Sequence, residues 1–274
     1  MKIFLSIIIS LTLLVPGLFS QLGFVINPDG HNGIELNTDG VPTPDENYSE
    51  YRIQLSEINM RYRVYGENSE KPALILIHGN GGNCSSLSSA ASYLANDYTV
   101  YVTESRCHGE TTQTEELSYT LIAKDIAEFI KAKELEKPII MGHSDGGIVA
   151  ITIASDYPDI PGAIISCGAN SSPAGLKITN LLSYAWRHTF TRNKLITMMV
   201  EGPDFTKEYL SKITCPAYIV SGQNDIVFVS DTEYIAKNIA GADYAIVKGG
   251  THSSYTEGKQ AYALATQWLR SQGM

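Results

Sequence analysis

The stretch Gly142-His143-Ser144-Asp145-Gly146 sets a serine between two glycines. A serine hydroxyl attacks a carbonyl only when a base takes its proton and a carboxylate holds that base in the right tautomer. Candidates for both follow downstream: Asp225 in Gly222-Gln223-Asn224-Asp225 and His252 in Gly249-Gly250-Thr251-His252. These residues read as nucleophile (Ser144), orienting acid (Asp225) and general base, then acid (His252). Asp204, Asp231 and Asp243 are the rival acids. Asp204 falls in a segment that reads as a lid, Asp231 at a helix start where it reads as a cap, and Asp243 ahead of a strand at the wrong sheet edge. Acyl transfer also needs donors for a developing oxyanion. The loop His78-Gly79-Asn80-Gly81-Gly82 offers the Asn80 amide, with Gly81 second, to act with the amide of Asp145.

Such residues need elements that hold them at one edge of a sheet. Ala73 to Ile77, Thr99 to Thr103, Pro138 to Met141, Gly162 to Ser166, Ala217 to Val220 and Tyr244 to Val247 are short apolar runs without polar alternation, as in strands buried on both faces of a parallel sheet. Tyr51 to Leu55 and Met60 to Tyr65 read as an antiparallel hairpin at the sheet edge. Helix candidates alternate with the strands at Ser86 to Ala95, Thr120 to Leu135, Gly147 to Asp156, Asp231 to Ile239 and Tyr255 to Arg270. The G-x-S-x-G string is weak by itself. It gains weight from lying between an apolar strand and a helix, where a nucleophile elbow belongs. The motif loops of Asp225 and His252 likewise follow the carboxyl ends of strands. Residues 171–212 break the rhythm, with no good strand and an apolar and aromatic mixture. A stretch of that length predicts a small helical lid, because long structureless loops are uncommon.

The composition agrees with one α/β domain. The chain has 274 residues, 43% of them apolar. Its formal charge of -9, without a basic run, argues against nucleic acid as a partner. Lys2, the apolar stretch Ile3 to Val15 and the small Ser20 read as a signal peptide cleaved near Ser20/Gln21, hence a secreted or periplasmic protein with no stable membrane span afterwards; an uncleaved anchor is the alternative. Residues 21–50 read as an extended lead-in. Cys84, Cys107, Cys167 and Cys215 form no C-x-x-C and admit no assigned pairing, although Cys167 and Cys215 adjoin apolar runs where buried free thiols are common. His31, His78, His108, His143 and His188 lack ligand spacing and read as packed or exposed, so neither a metal nor another cofactor is implied.

With four motifs in order, the chain from Tyr51 onward resembles the α/β-hydrolases, serine hydrolases of esterase and peptidase type. That resemblance implies an eight-stranded, mostly parallel sheet with helices on both faces, an antiparallel edge from the first hairpin, and a lid inserted after the sixth strand. The segment Glu104 to Thr111 is similar to the family's arginine, glycine, histidine, glycine loop, departing from it at Cys107, where Gly is customary, and at Glu104, where Asp is. The expected activity is cleavage of a small ester through an acyl-enzyme. An aminopeptidase, amidase or aminoacyl-ester hydrolase, a carbon–carbon bond hydrolase and a catalytically silent binding protein are the alternatives; oligomeric state is open. The Asp145 carboxylate divides these readings. Beside an oxyanion it needs a partner, either a neighbouring loop residue such as Arg106 or a substrate ammonium, which would select amino esters or peptides.

Overall fold

The computed structural model describes residues 33–274 apart from 68, 69 and 192. The signal-peptide segment and His31 lie outside the described residues. Eight strands form one sheet: β1 (Tyr48–Gln54), β2 (Asn59–Tyr65), β3 (Ala73–Ile77), β4 (Thr99–Thr103), β5 (Ile139–His143), β6 (Ala163–Cys167), β7 (Ala217–Gly222) and β8 (Asp243–Val247). Their order is β1-β2-β4-β3-β5-β6-β7-β8. Strand β2 runs antiparallel to β1 and β4, and every other pair is parallel. The hairpin edge and the parallel centre follow the sequence pattern.

The unbroken apolar runs reflect a sheet covered on both faces. Ile75 and Ile77 of β3 join a core with Ile126 and Phe129 of α2 (Tyr119–Ala132) and Ile148 and Ile151 of α3 (Asp145–Asp156). The alternate residues Leu74 and Leu76 face a second core with Leu94 of α1 (Ser88–Leu94) and Leu264 and Leu269 of the C-terminal helix Gly258–Ser271. Truncating a ring such as Phe129 to Ala in such a core costs about 3–5 kcal/mol. Helix α2 starts where Ser118 Oγ accepts the Leu121 N–H at 3.2 Å.

Between β6 and β7 the chain forms a 3₁₀ turn (Pro173–Gly175) and three helices, α4 (Ile178–Thr191), α5 (Lys194–Glu201) and α6 (Lys207–Leu210). Helix α7 (Val229–Lys237) precedes β8, and α8 (Gly258–Ser271) closes the chain. Two expectations change. The lead-in is not merely extended: Ile34 bridges Val247 in parallel, its N–H donating to the Ile246 carbonyl at 2.8 Å and its carbonyl accepting the Lys248 N–H at 2.9 Å. The last helix starts at Gly258 rather than Tyr255, because residues 253–256 turn (Thr256 N–H to Ser253 carbonyl, 3.0 Å) and sink Tyr255 into the core.

Candidate active site

Strand β5 delivers the chain to Ser144, which takes φ 56° and ψ −119°, and α3 begins at the next residue. A left-handed φ at a side-chain-bearing residue costs about 1–3 kcal/mol and persists only where its surroundings enforce it. Here Ser144 N–H donates to the Cys167 carbonyl at 2.7 Å, and its carbonyl accepts Gly147 N–H at 2.8 Å. The flanking glycines are sterically required. A Cβ on Gly142 would run into the Gly146 carbonyl, and one on Gly146 into the Ile77 carbonyl. Together these contacts force the sharp turn that lifts the hydroxyl out of the sheet edge.

The loops after β7 and β8 bring Asp225 and His252 to that hydroxyl. His252 Nδ1–H donates to Asp225 Oδ1 at 2.6 Å, which leaves Nε2 as the acceptor 3.0 Å from Ser144 Oγ. Asp225 is buried, and its Oδ2 accepts the Gly222 N–H at 3.1 Å and the Tyr255 hydroxyl at 2.8 Å. Burial pushes this carboxyl up, but the hydrogen bond and charge of His252, with Gly222 and Tyr255, outweigh it and lower it to about 2. Nothing in the sequence separates Tyr255 from other tyrosines near helix starts.

None of the rival acids reaches His252. Asp231 does not cap α7: it lies inside the first turn, and its carboxylate accepts the N–H and hydroxyl of Ser171 at 2.7 and 2.6 Å. Asp243 accepts Trp268 Nε1–H at 2.8 Å. Asp204 and Asp231 line a separate cavity of about 570 Å³ between the insert and α7.

The β3 loop passes over the serine. A Cβ on Gly79 would lie 3.0 Å from Ser144 Cβ, so the Gly79-Asn80 backbone crosses directly above it. The N–H groups of Asn80 and Asp145 donate to no other described protein group, and that of Asp145 is an orphan donor at the start of α3. The Asp145 side chain turns inward. Its Oδ2 accepts Asn80 Nδ2–H at 2.9 Å and its Oδ1 the Tyr119 hydroxyl at 3.0 Å. Burial raises this carboxyl and the two donors partly offset the rise. The partner is therefore internal, but it is not Arg106, which is buried and engaged by Asp125 through Nε and Nη2, both at 2.6 Å.

The remaining described histidines have structural partners. Burial, with His252 nearby, lowers His143 to about 4, and its Nε2–H donates to the His252 carbonyl at 2.8 Å, steadying that loop. Burial and neighbouring His108 lower His78 to about 3; its Nε2 accepts the Ser105 N–H at 3.2 Å. His108 Nδ1–H donates to the Arg106 carbonyl at 2.9 Å, and His188 Nδ1 lies 3.1 Å from Thr197 Oγ1. In the similar loop, Cys107 adopts φ 62° where Gly is customary. The longer Glu104 is fully buried and accepts the N–H groups of Glu110, Thr111 and Cys84. All four cysteines are free thiols. Among the described residues no three His, Cys, Asp or Glu side chains converge as metal ligands would.

Ser144 and His252 open into a cavity of about 470 Å³ whose far wall is Tyr184, Arg187 and Met199 of the insert. Residues 72–197, which include Gly79, Asn80, Ser144 and the start of the insert, match the model of the alpha/beta hydrolase fold family. The chain has the α/β-hydrolase fold. Among similar proteins, Esterase YbfF of Escherichia coli is 28% identical over 106 residues, 38% of this chain and 42% of that protein. Protein phosphatase methylesterase 1 of Bos taurus is 37% identical over 101 residues, 34% of this chain and 27% of that one. The chain thus spans well under half the length of these curated relatives. Its fold is shared with the enol-lactonase of Burkholderia xenovorans at a TM-score of 0.67 and 15% identity, covering 82% of this chain and all of that one.

Proposed function

We propose that this α/β-hydrolase cleaves a small carboxylic ester through an acyl-enzyme on Ser144. The observation that carries the reading is the continuous relay from Asp225 through His252 to Ser144 Oγ, with contacts of 2.6 and 3.0 Å. His252 Nε2 takes the hydroxyl proton as Oγ bonds to the ester carbonyl carbon. The carbonyl oxygen becomes an oxyanion, which the Asn80 and Asp145 N–H groups receive; losing one such donor typically costs about 3–4 kcal/mol of barrier. Collapse breaks the ester bond, and the leaving alcohol takes the proton from His252. Water then repeats the sequence: His252 removes its proton, the hydroxide attacks the acyl carbon, the acid departs and Ser144 recovers its hydrogen. Asp225, held ionised, orients the imidazole and stabilises its cationic form.

Two features favour an ester over a substrate carrying a free ammonium. The Asp145 carboxylate, the candidate ammonium partner, is committed to Asn80 and Tyr119 and buried away from the cavity. The names of the relatives given above, an esterase and a methylesterase, point the same way. The test is covalent labelling by a fluorophosphonate combined with a panel of short-chain esters, aminoacyl esters and peptides. Labelling mapped to Ser144, lost in Ser144→Ala together with ester turnover, supports the proposal. An adduct elsewhere, or an active Ser144→Ala, refutes it.

A further inference from the structure

Helix α4 exposes the side that a surface helix normally hides. Ile178, Leu182, Trp186 and Phe190 recur every fourth residue, on one face, and are 40%, 55%, 68% and 66% exposed. The rings of Trp186 and Phe190 lie 4.6 Å apart. The side nearer the protein is no more apolar, with Asn180, Leu181, Tyr184, Ala185 and His188 half-buried, and no residue of α4 is buried. At 1.5 Å per residue the exposed stripe runs for about 18 Å. A contiguous apolar patch of that extent on a soluble surface marks an interaction site.

The local charge selects its partner. The chain carries a net charge of -9, yet from Ile160 to Val200 it contains no Asp or Glu, while Lys177, Arg187, Arg192 and Lys194 fall in that stretch. Arg187 neighbours Trp186 on the exposed side. Lys194, at the start of α5, donates to the Thr114 carbonyl at 2.7 Å and lies 3.8 Å from the exposed Glu115. Apolar Trp, Phe and Leu along one face, flanked by cations in an acid-free segment, is the pattern of a helix that lies in the plane of an anionic interface. A second copy would set the same cations against each other.

We propose that α4 docks its Ile178, Leu182, Trp186, Phe190 face on an anionic phospholipid surface. Tyr184 and Arg187 of the same helix line the Ser144 cavity, so docking places the cavity mouth beside the interface. The inference concerns binding and does not depend on the catalytic reading.

The chain supplies its own probe. It has two tryptophans, Trp186 and Trp268, and Trp268 is buried. The full chain is titrated with vesicles of phosphatidylcholine alone and of phosphatidylcholine with phosphatidylglycerol, reading tryptophan emission and its quenching by brominated acyl chains. The N-terminal apolar stretch contains no tryptophan and is silent in this signal. The expected result is a blue shift and quenching with the mixed vesicles, and affinity at least about tenfold above phosphatidylcholine alone, since each cation near an anionic leaflet contributes about fivefold. Leu182→Ser with Phe190→Ser lowers partitioning by at least about tenfold. Arg187→Gln with Lys194→Gln keeps the weak neutral binding and loses the preference for phosphatidylglycerol. Three outcomes overturn the proposal: no shift with mixed vesicles, an equal shift in the serine variant, or a lipid-independent shift that tracks dimer formation.

Discussion

Asn80 Nδ2–H donates to the Asp145 carboxylate across 2.9 Å. The two residues proposed to hold the oxyanion through their backbones are therefore tied together by their side chains. The spacing between the two N–H donors is set by this strap as well as by the strand and helix that carry them. The same Asn80 amide donates to the Leu195 carbonyl of α5 at 3.1 Å, so the insert is fastened at the same point.

Cutting that strap is expected to impair the chemical step more than binding. Asn80→Ala keeps its backbone N–H but loses the anchor, and misplacement by about 1 Å costs roughly 100-fold in rate. Ester kinetics should show kcat reduced about 10–100-fold with KM changed by less than about threefold. Asp145→Asn, which can accept from Asn80 through its oxygen and donate to Tyr119, should lose much less. A KM-only effect in Asn80→Ala would remove the positioning role.

Asp225→Asn is expected to lower kcat by up to about 10⁴-fold, because an amide presents the wrong hydrogen-bonding pattern to His252. Asp231→Asn and Asp243→Asn, whose native partners are Ser171 and Trp268, should change kcat by less than about threefold if a triad loss alone reaches that size. An active Asp225→Asn with a crippled Asp231→Asn or Asp243→Asn would reassign the acid.

The lowered Asp225 carboxyl also predicts a pH signature in stability. Its folded-state value of about 2 lies below the ordinary 3.8, so its contribution is fully present above about pH 4 and is lost as pH falls through about 2. The size is on the order of 2 kcal/mol. Thermal melts of wild type and Asp225→Asn should differ most above pH 4 and converge toward pH 2. A gap that stays constant across this range would contradict the prediction.

Strand and helix positions were readable because their causes are local or periodic. Unbroken runs such as Ala73 to Ile77 signal burial on both faces, and Gly142 and Gly146 mark a turn with no room for Cβ. The side-chain network around the serine was not readable. Tyr119 and Asn80 are 65 or fewer residues from Asp145 in the chain, but only packing of α2 against α3 and of the β3 loop over Ser144 makes them its donors. Asp231 failed as a cap for a similar reason. A carboxylate in the first turn usually serves its own helix, whereas here the insert presents Ser171 as a better donor. The Arg106 pairing failed because Asp125 lies closer, on the facing helix.

The Ile34 bridge bears on how the folded chain avoids sticking to its own kind. An open sheet ends in backbone groups that template another strand, and native proteins blunt such margins by cover or charge. At β8 the Ile246 carbonyl and Lys248 N–H are already taken by Ile34. At the opposite margin β1 carries Glu50 and Arg52, joined to Arg61 and Glu110 at 2.7 and 2.6 Å, which make that border awkward for an incoming strand to zip onto. The two borders of the sheet are guarded by different means, one by a piece of the protein's own leading segment and one by ions, and loss of the leading segment would leave only the second guard against fibril-like growth.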